Sequence, residues 1–229
     1  MPELKSGLIP SPEWKRRNRD APWTTGDTLN AGIGQGFVLS TPLQLAVMTA
    51  RLATGRMVSP RLIRARDGVP EPVPDQAELG VRPGNLALIR QAMDAVVNHR
   101  RGTARRWRIA EEALAMAGKT GTSQVRNITA AERARGVFRN EDLPWERRDH
   151  ALFVCYAPIA APRYAVSVIV EHGGSGSKAA APIARDLMMR LLFGPTPPAT
   201  AYPPGMMPER PVPEPAPRPP AEAPARMRT

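Results

Sequence analysis

The sequence is poor in the residues that form covalent and metal cross-links. It contains one cysteine, Cys155, and an intrachain disulfide or a cysteine-based metal cluster needs more than one. The three histidines (His99, His150 and His172) show no metal-ligand spacing, so we expect no metal and no other cofactor. Cys155 lies in the apolar run 151–157, which predicts a small buried side chain.

Long apolar runs are also missing. No stretch reaches the roughly 18 apolar residues of a membrane-spanning helix, and the first seventeen residues lack the apolar segment of a secretion signal. The sequence of this chain therefore predicts neither a membrane anchor nor a signal.

Aromatic residues are scarce, at 5%, although the net charge is +11. Nucleic-acid binding needs clustered cations and benefits from aromatic platforms for the bases. The basic clusters, at 15–19, 100–106 and 147–148, are scattered between predicted elements. We expect a solvated basic surface and no nucleic-acid partner. A basic nucleic-acid binder, with steeply salt-dependent affinity, is the alternative that the charge leaves open.

Proline is the residue in excess, and its placement suggests a boundary. Thirteen of the 27 prolines fall between Pro195 and Pro224. A proline-rich stretch of this kind cannot bury enough apolar surface to fold. We therefore predict a folded part over 1–194 and a disordered proline-rich tail over 195–229.

The periodicity of the folded part predicts an α+β fold. Thr41, Pro42 and Gln44 form a helix start with a capping box, and Gly55 ends that helix. The first forty residues are interpreted as loop and turns, and helices are predicted at 85–98 and 179–193. Strands are predicted at 57–63, 115–125, 151–156 and 164–170, the last two as an antiparallel hairpin. The final helix is expected to turn four apolar residues inward: Ile183, Leu187, Leu191 and Leu192.

The motif with chemical meaning is Lys119-Thr120-Gly121-Thr122, on the strand predicted at 115–125. Lys-Thr-Gly is one signature of active-site serine penicillin-binding proteins and class A β-lactamases. A Lys ammonium and a Thr hydroxyl can bind a substrate carboxylate, and Gly121 lets a peptide lie along the strand. The Thr122 N–H could supply half of an oxyanion hole. The alternative is a structural strand with an exposed lysine.

Further segments give the motif a family context. They are Gly7–Lys15, Gly26-Asp27-Thr28, Gly32–Phe37, Thr41–Ala46, Arg101–Ala104, Lys119–Val125, Arg148–Ala151 and Glu171–Gly174. In this order and spacing the chain resembles the class B penicillin-binding proteins, which are monofunctional cell-wall transpeptidases, and within them the elongation type. The resemblance covers about residues 3–193.

This resemblance implies an antiparallel sheet packed with helices and a peptidoglycan D,D-transpeptidase activity. The substrate would be a stem peptide ending in D-Ala-D-Ala, β-lactams would bind at the same site, and membrane proteins of the elongation machinery would be partners. The intact protein would be anchored in the inner membrane with its catalytic domain in the periplasm. Lys119 would be catalytic, and Lys119, Thr120, Gly121 and Thr122 would bind substrate.

The sequence departs from the family in its nucleophile. The family's Ser-x-x-Lys and Ser-x-Asn lie upstream of the Gly-Gln-Gly segment, and we expect this chain to begin after them. Ser175–Lys178 has the Ser-x-x-Lys pattern, but it lies downstream of Lys-Thr-Gly and is interpreted as a decoy. The chain is therefore predicted to be inactive by itself. Alternatives are a non-catalytic remnant or interaction fragment of the elongation machinery and, less consistent with the Gly-Gln-Gly and Thr41–Ala46 context, a β-lactamase or D,D-carboxypeptidase.

Two further pairs resemble a base and its orienting group, namely Asp149-His150 and Glu171-His172. Adjacent residues of a strand point to opposite faces, so neither pair can act together in that way. We expect a structural role for them.

Overall fold

The computed structural model describes residues 5–125, 132, 134, 136 and 139–207. The α-helices within these residues are α1 (Pro12–Arg19), α2 (Thr25–Gly32), α3 (Pro42–Thr54), α4 (Pro83–Asn98) and α5 (Ala181–Phe193). A π-helical turn over Gly176–Ala180 leads into α5. None of the described helices is both long and apolar enough to cross a membrane.

The central element is a three-stranded antiparallel sheet in the order β3–β4–β5. Strand β3 spans Ala117–Ser123, β4 spans His150–Ala157 and β5 spans Tyr164–Val170. Lys119 lies opposite Val154 in the register of β3 with β4. Strands β1 (Ala65–Arg66) and β2 (Val69–Pro70) form a separate exposed hairpin.

Helices cover both faces of this sheet. Successive side chains of β4 point to opposite faces and are apolar on both, so both faces need a cover. Val154 and Tyr156 point to one face and pack with Ala53 of α3 and Met93 of α4. Phe153 and Cys155 point to the other face, in a core shared with three buried residues of α5: Ala184, Met188 and Met189. The predicted α+β class is confirmed.

Local sequence signals explain the elements that were predicted well. The Thr41 hydroxyl accepts from the Gln44 N–H, and Gln44 Oε1 accepts from the Thr41 N–H. Gly55 ends α3 in the left-handed conformation with φ 72°. Helix α4 begins at Pro83, two residues before the predicted start, and ends at Asn98 as predicted. Strands β3, β4 and β5 confirm the predictions at 115–125, 151–156 and 164–170.

The first forty residues are more helical than predicted. Ser11 caps α1 with Pro12 at the first helical position, and Thr24 and Asp27 form a capping box on α2. These signals were present in the sequence but lay among Gly, Pro and Trp residues that suggested loops. The strand predicted at 57–63 was wrong, since none of these residues belongs to a strand.

The inward face predicted for α5 was wrong for three of its four residues. Ile183, Leu187 and Leu191 are 50%, 44% and 39% exposed, and Leu192 is partly buried against the core. The fully buried positions carry small or flexible residues: Ala181, Ala184, Met188 and Met189. The helix lies close to the sheet through this face, so the larger branched side chains point outward.

Residues beyond the boundary predicted at 194 contact the folded body, up to Met206, whose Sδ accepts from Arg106 Nε at 3.4 Å. The Ala110 N–H donates to the Ala201 carbonyl at 2.8 Å, and Ala201 is fully buried. The buried Arg185 guanidinium lies 5.4 Å from the Trp107 ring and 5.1 Å from the Tyr202 ring, so cation–π contacts attach this segment to α5. Residues 208–229 of the predicted tail lie outside the described residues.

Candidate active site

The Lys-Thr-Gly motif lies on β3, at the edge of the sheet. Lys119 and Thr122 are exposed, whereas Thr120 and Gly121 are half-buried. Within the described residues, β4 is the one strand paired with β3. We call the other side of β3, which faces away from β4, its open edge.

Side-chain donors form hydrogen bonds with the backbone carbonyl groups along this open edge. Three backbone oxygens accept from them: Met116 from Asn98 Nδ2 at 2.9 Å, Thr120 from Lys119 Nζ at 2.6 Å and Thr122 from Gln35 Nε2 at 2.6 Å. They belong to alternate residues, as expected where every second residue of an edge strand turns its backbone groups away from its partner. On the β4 side, the Ala115 carbonyl accepts from the Ile159 N–H at 3.0 Å.

This alternation decides which residues can pair with a ligand. The backbone N–H and C=O of Thr120 and Thr122 face the open edge, whereas those of Gly121 face β4. A peptide lying along this edge would therefore pair with the backbone of Thr120 and Thr122. A methyl group at Gly121 would lie 3.2 Å from the Leu152 Cβ, so the glycine also permits close packing of β3 on β4.

The side chains of the motif alternate between the two faces of the sheet. Lys119 shares the face of its partner Val154, where α3 and α4 pack, while Thr120 shares the opposite face with Phe153. Because β3 is an edge strand, side chains from both faces border the open edge. No described acidic side chain forms an ion pair with Lys119.

The Arg101–Ala104 segment contacts the motif directly. The hydroxyl oxygens of Thr103 and Thr120 lie 3.3 Å apart. Gly102 permits the tight turn that places Thr103 beside Thr120. A Cβ at Gly102 would lie 2.5 Å from the Ala95 carbonyl oxygen. Sequence reasoning used this segment to recognise the family and gave Thr103 no role.

The Gly32–Phe37 segment reaches the motif through Gln35. Gly34 and Gly36 have φ of 73° and 70°, and the Gln35 N–H donates to the Asn30 carbonyl at 2.9 Å. Sequence reasoning missed Gln35 as a site residue, because its bond to Thr122 joins positions 87 residues apart.

A part-buried ion pair joins α1 to α2, the helix that precedes this turn. Lys15 Nζ lies 2.5 Å from Asp27 Oδ2, and the two side chains are 11% and 12% exposed. The hydrogen bond from Lys15, with those from the Thr24 side chain and backbone, lowers the pKa of Asp27 to about 2. Trp14 packs on Phe37 with ring centroids 5.3 Å apart, which holds the residue two positions after Gln35.

The Ser175–Lys178 pattern is not arranged as a nucleophile with its base. Ser175 Oγ lies 3.1 Å from Ser177 Oγ, and Lys178 Nζ lies 3.3 Å from Glu141 Oε1. Gly176 packs on the sheet, where a Cβ would lie 2.5 Å from the Gly121 carbonyl oxygen. These contacts give the turn a structural role behind β3.

Asp149 and His150 form separate contacts, as their strand positions predicted. The carboxylate of Asp149 accepts from Asn140 Nδ2 at 3.1 Å, while His150 Nδ1 accepts from the His172 N–H at 2.9 Å. Cys155 is fully buried, and burial raises the pKa of its thiol to about 12. Within the described part of the chain, no group of three or more His, Cys, Asp or Glu residues could hold a metal ion.

A Lys-Thr-Gly strand at the edge of an antiparallel sheet, with helices on both faces, is the arrangement expected of a serine transpeptidase domain. The family model for the penicillin binding protein transpeptidase domain matches residues 2–189, and the chain belongs to this family. The resemblance inferred from the motifs is confirmed.

The relatives point to one branch of the family. The chain is 38% identical over 192 residues to the peptidoglycan D,D-transpeptidase MrdA of Haemophilus influenzae. The crystal structure of penicillin-binding protein 2 from Pseudomonas aeruginosa matches with a TM-score of 0.66 at 41% identity, over 82% of this chain and 39% of that one. Penicillin-binding protein 2 of Helicobacter pylori, solved in complex with MreC, matches with a TM-score of 0.67 at 29% identity, over 83% of this chain and 32% of that one.

The match covers different shares of the two proteins. The alignment with the Haemophilus enzyme takes in 81% of this chain and 29% of that enzyme. The chain thus spans less than a third of the length of this curated relative.

Proposed function

We propose that this chain forms the substrate-carboxylate side of a peptidoglycan D,D-transpeptidase site that serves cell-wall elongation. The open edge of β3 carries the proposal. There, Lys119 has no described acidic partner and Thr120 and Thr122 present backbone groups outward. The matched family and its D,D-transpeptidase relatives support the reaction class.

The chemistry assigns a role to each residue. The substrate is a stem peptide ending in D-Ala-D-Ala, which lies along the open edge and pairs with the backbone of Thr120 and Thr122. The Lys119 ammonium and the Thr hydroxyls bind its terminal carboxylate, while the Thr122 N–H stabilises the oxyanion. Gly121 keeps the strand close to β4.

The covalent step needs a nucleophile that we do not assign to these 229 residues. A serine activated by a lysine attacks the carbonyl of the penultimate D-Ala, and the terminal D-Ala leaves. The acyl group then passes to an amine of a neighbouring strand. β-Lactams would trap the same serine. The catalytically complete protein would combine this half-site with a segment bearing Ser-x-x-Lys and Ser-x-Asn.

The same proposal covers location and partners. As in the family, the protein would be anchored in the inner membrane and would act in the periplasm. An MreC-like membrane protein of the elongation machinery would be a partner, since the Helicobacter relative was solved in complex with MreC.

Non-covalent binding of a donor peptide tests the half-site without the nucleophile. The probe is N-acetylated L-Lys-D-Ala-D-Ala, titrated against the chain and followed by saturation-transfer NMR. Lys119→Ala should weaken binding at least about 10-fold, since hydrogen bonds to charged groups contribute about 1.5–3 kcal/mol. Lys178→Ala is the matched control, because it removes the same charge from a lysine paired with Glu141.

A second probe measures how much the terminal carboxylate of the peptide contributes to binding. The same peptide with a C-terminal amide should bind weakly and should be insensitive to Lys119→Ala. Equal binding of the acid and the amide, or equal loss in the two lysine variants, would show that Lys119 does not bind a substrate carboxylate.

A further inference from the structure

The Gln35 side chain occupies part of the edge that a peptide ligand would use. Its Nε2 donates to the Thr122 carbonyl at 2.6 Å. A primary amide N–H on an edge carbonyl reproduces the bond that the backbone N–H of an added strand would form. In this structure, the chain itself therefore takes up one of the acceptors open to a ligand.

The contact is built into the fold of the Gly32–Phe37 segment. The left-handed conformations of Gly34 and Gly36 shape the turn, and the Gln35 backbone is bonded to Asn30. A Cβ at Gly36 would lie 3.2 Å from the Asn30 Cβ, so the turn is also tightly packed. Because Trp14 holds Phe37, the Gln35 side chain projects toward β3 from a fixed support.

We propose that Gln35 is an internal competitor of the peptide ligand, whose side-chain amide occupies the Thr122 acceptor until a ligand N–H replaces it. The inference rests on the proposed function, since it takes the open edge of β3 as the peptide site. A ligand that presents an amide N–H at Thr122 restores the bond that it breaks. A ligand without that N–H leaves a carbonyl unpaired, and the site discriminates against it.

The test compares peptide affinity in variants that remove the competing donor. Gln35→Ala removes the amide, and Gln35→Met removes the donor while it keeps the length of the side chain. Both should bind N-acetylated L-Lys-D-Ala-D-Ala about 2- to 10-fold more tightly than the wild type, the range expected for one net hydrogen bond. Gln91→Ala, at an exposed position of α4, is the matched control and should bind as the wild type does.

A direct readout follows the Gln35 side chain itself. In a ¹⁵N-labelled wild-type chain, the side-chain NH₂ signal of Gln35 should move toward that of a solvent-exposed glutamine as the peptide saturates the site. The Gln91 signal should stay in place. Both Gln35 variants should retain the dispersed backbone spectrum of the wild type, which shows that the turn still folds.

The outcomes separate this inference from the function on which it rests. Binding that depends on Lys119 but is unchanged or weaker in both Gln35 variants would overturn the role of Gln35 alone. An unmoved Gln35 signal at saturation would do the same. No peptide binding by the wild type or any variant would overturn the proposed function and this inference together.

Discussion

Lys15 Nζ and Asp27 Oδ2 lie 2.5 Å apart and join α1 to α2, the helix that precedes the turn carrying Gln35. Asp27 also accepts from the backbone and side chain of Thr24, which caps α2. The Asp27 carboxylate therefore both caps the short helix α2 and connects it to the short helix α1. Short helices of this kind depend on such tertiary contacts, because their intrinsic stability in water is small.

The Asp27 carboxylate should make stability depend on pH in the acid range. Its pKa is lowered from 3.8 to about 2 in the folded chain, so the unfolded state binds more protons between these values. The contribution is present above about pH 4 and is lost as the pH falls toward 2. Urea denaturation across this range should show the slope in the wild type and a shallower slope in Asp27→Asn. Asp75→Asn controls for charge, and equal slopes in all three proteins would contradict the assignment.

Gly102 should be intolerant of a side chain. Gly102→Ala would place Cβ against the Ala95 carbonyl, and we expect a loss of about 1–3 kcal/mol in the free energy of unfolding. Gly84→Ala is the matched control, since nothing lies within 4 Å of its Cβ and it is helical. That variant should be unchanged or more stable by up to about 1 kcal/mol. Equal effects of the two substitutions would argue against the tight turn before Thr103.

The chain should not form a covalent adduct with fluorescent penicillin. Lys178 is paired with Glu141 and Ser175 with Ser177, so the lysine of this pattern is not placed to activate its serine. The measurement is fluorescence of the denatured band on a gel. A band that is present in the wild type and disappears in Ser175→Ala would assign the nucleophile to this turn after all.

The two faces of α5 should differ in how strongly a substitution changes stability. Leu187→Gln, on the exposed face, should leave stability nearly unchanged and reduce self-association, because it interrupts an apolar stripe of Ile183, Leu187 and Leu191. Met188→Ala, on the buried face, should cost about 2–5 kcal/mol. Light scattering and thermal unfolding measure the two effects. A larger loss of stability in Leu187→Gln than in Met188→Ala would instead support the inward face predicted from the sequence.

Local signals account for most of what the sequence predicted correctly. The Thr41–Gln44 capping box and Gly55 define α3 without tertiary information, and alternation defines β4 and β5. The face of α5 could not be predicted in this way. Its burial is decided by how closely the helix approaches the sheet, which favours Ala184 and Met188 over the more hydrophobic Leu187.

Local sequence signals also identified only part of the candidate site. Lys119, Thr120 and Thr122 lie within four consecutive residues, so a motif could identify them. Gln35 and Thr103 reach the strand through space, from 87 and 17 positions away in sequence. Contacts at such separations follow from topology and leave no local pattern in the chain.

The burial of Cys155 has a practical consequence for all these measurements. It is the one cysteine of the sequence, it is fully enclosed by the core, and its raised thiol pKa keeps it in the unreactive protonated form at neutral pH. A cysteine introduced at an exposed position would therefore be the thiol that maleimide dyes modify in the native chain. Labelling of Cys155 itself would report transient opening of the sheet core, so the wild-type sequence carries its own probe of folding.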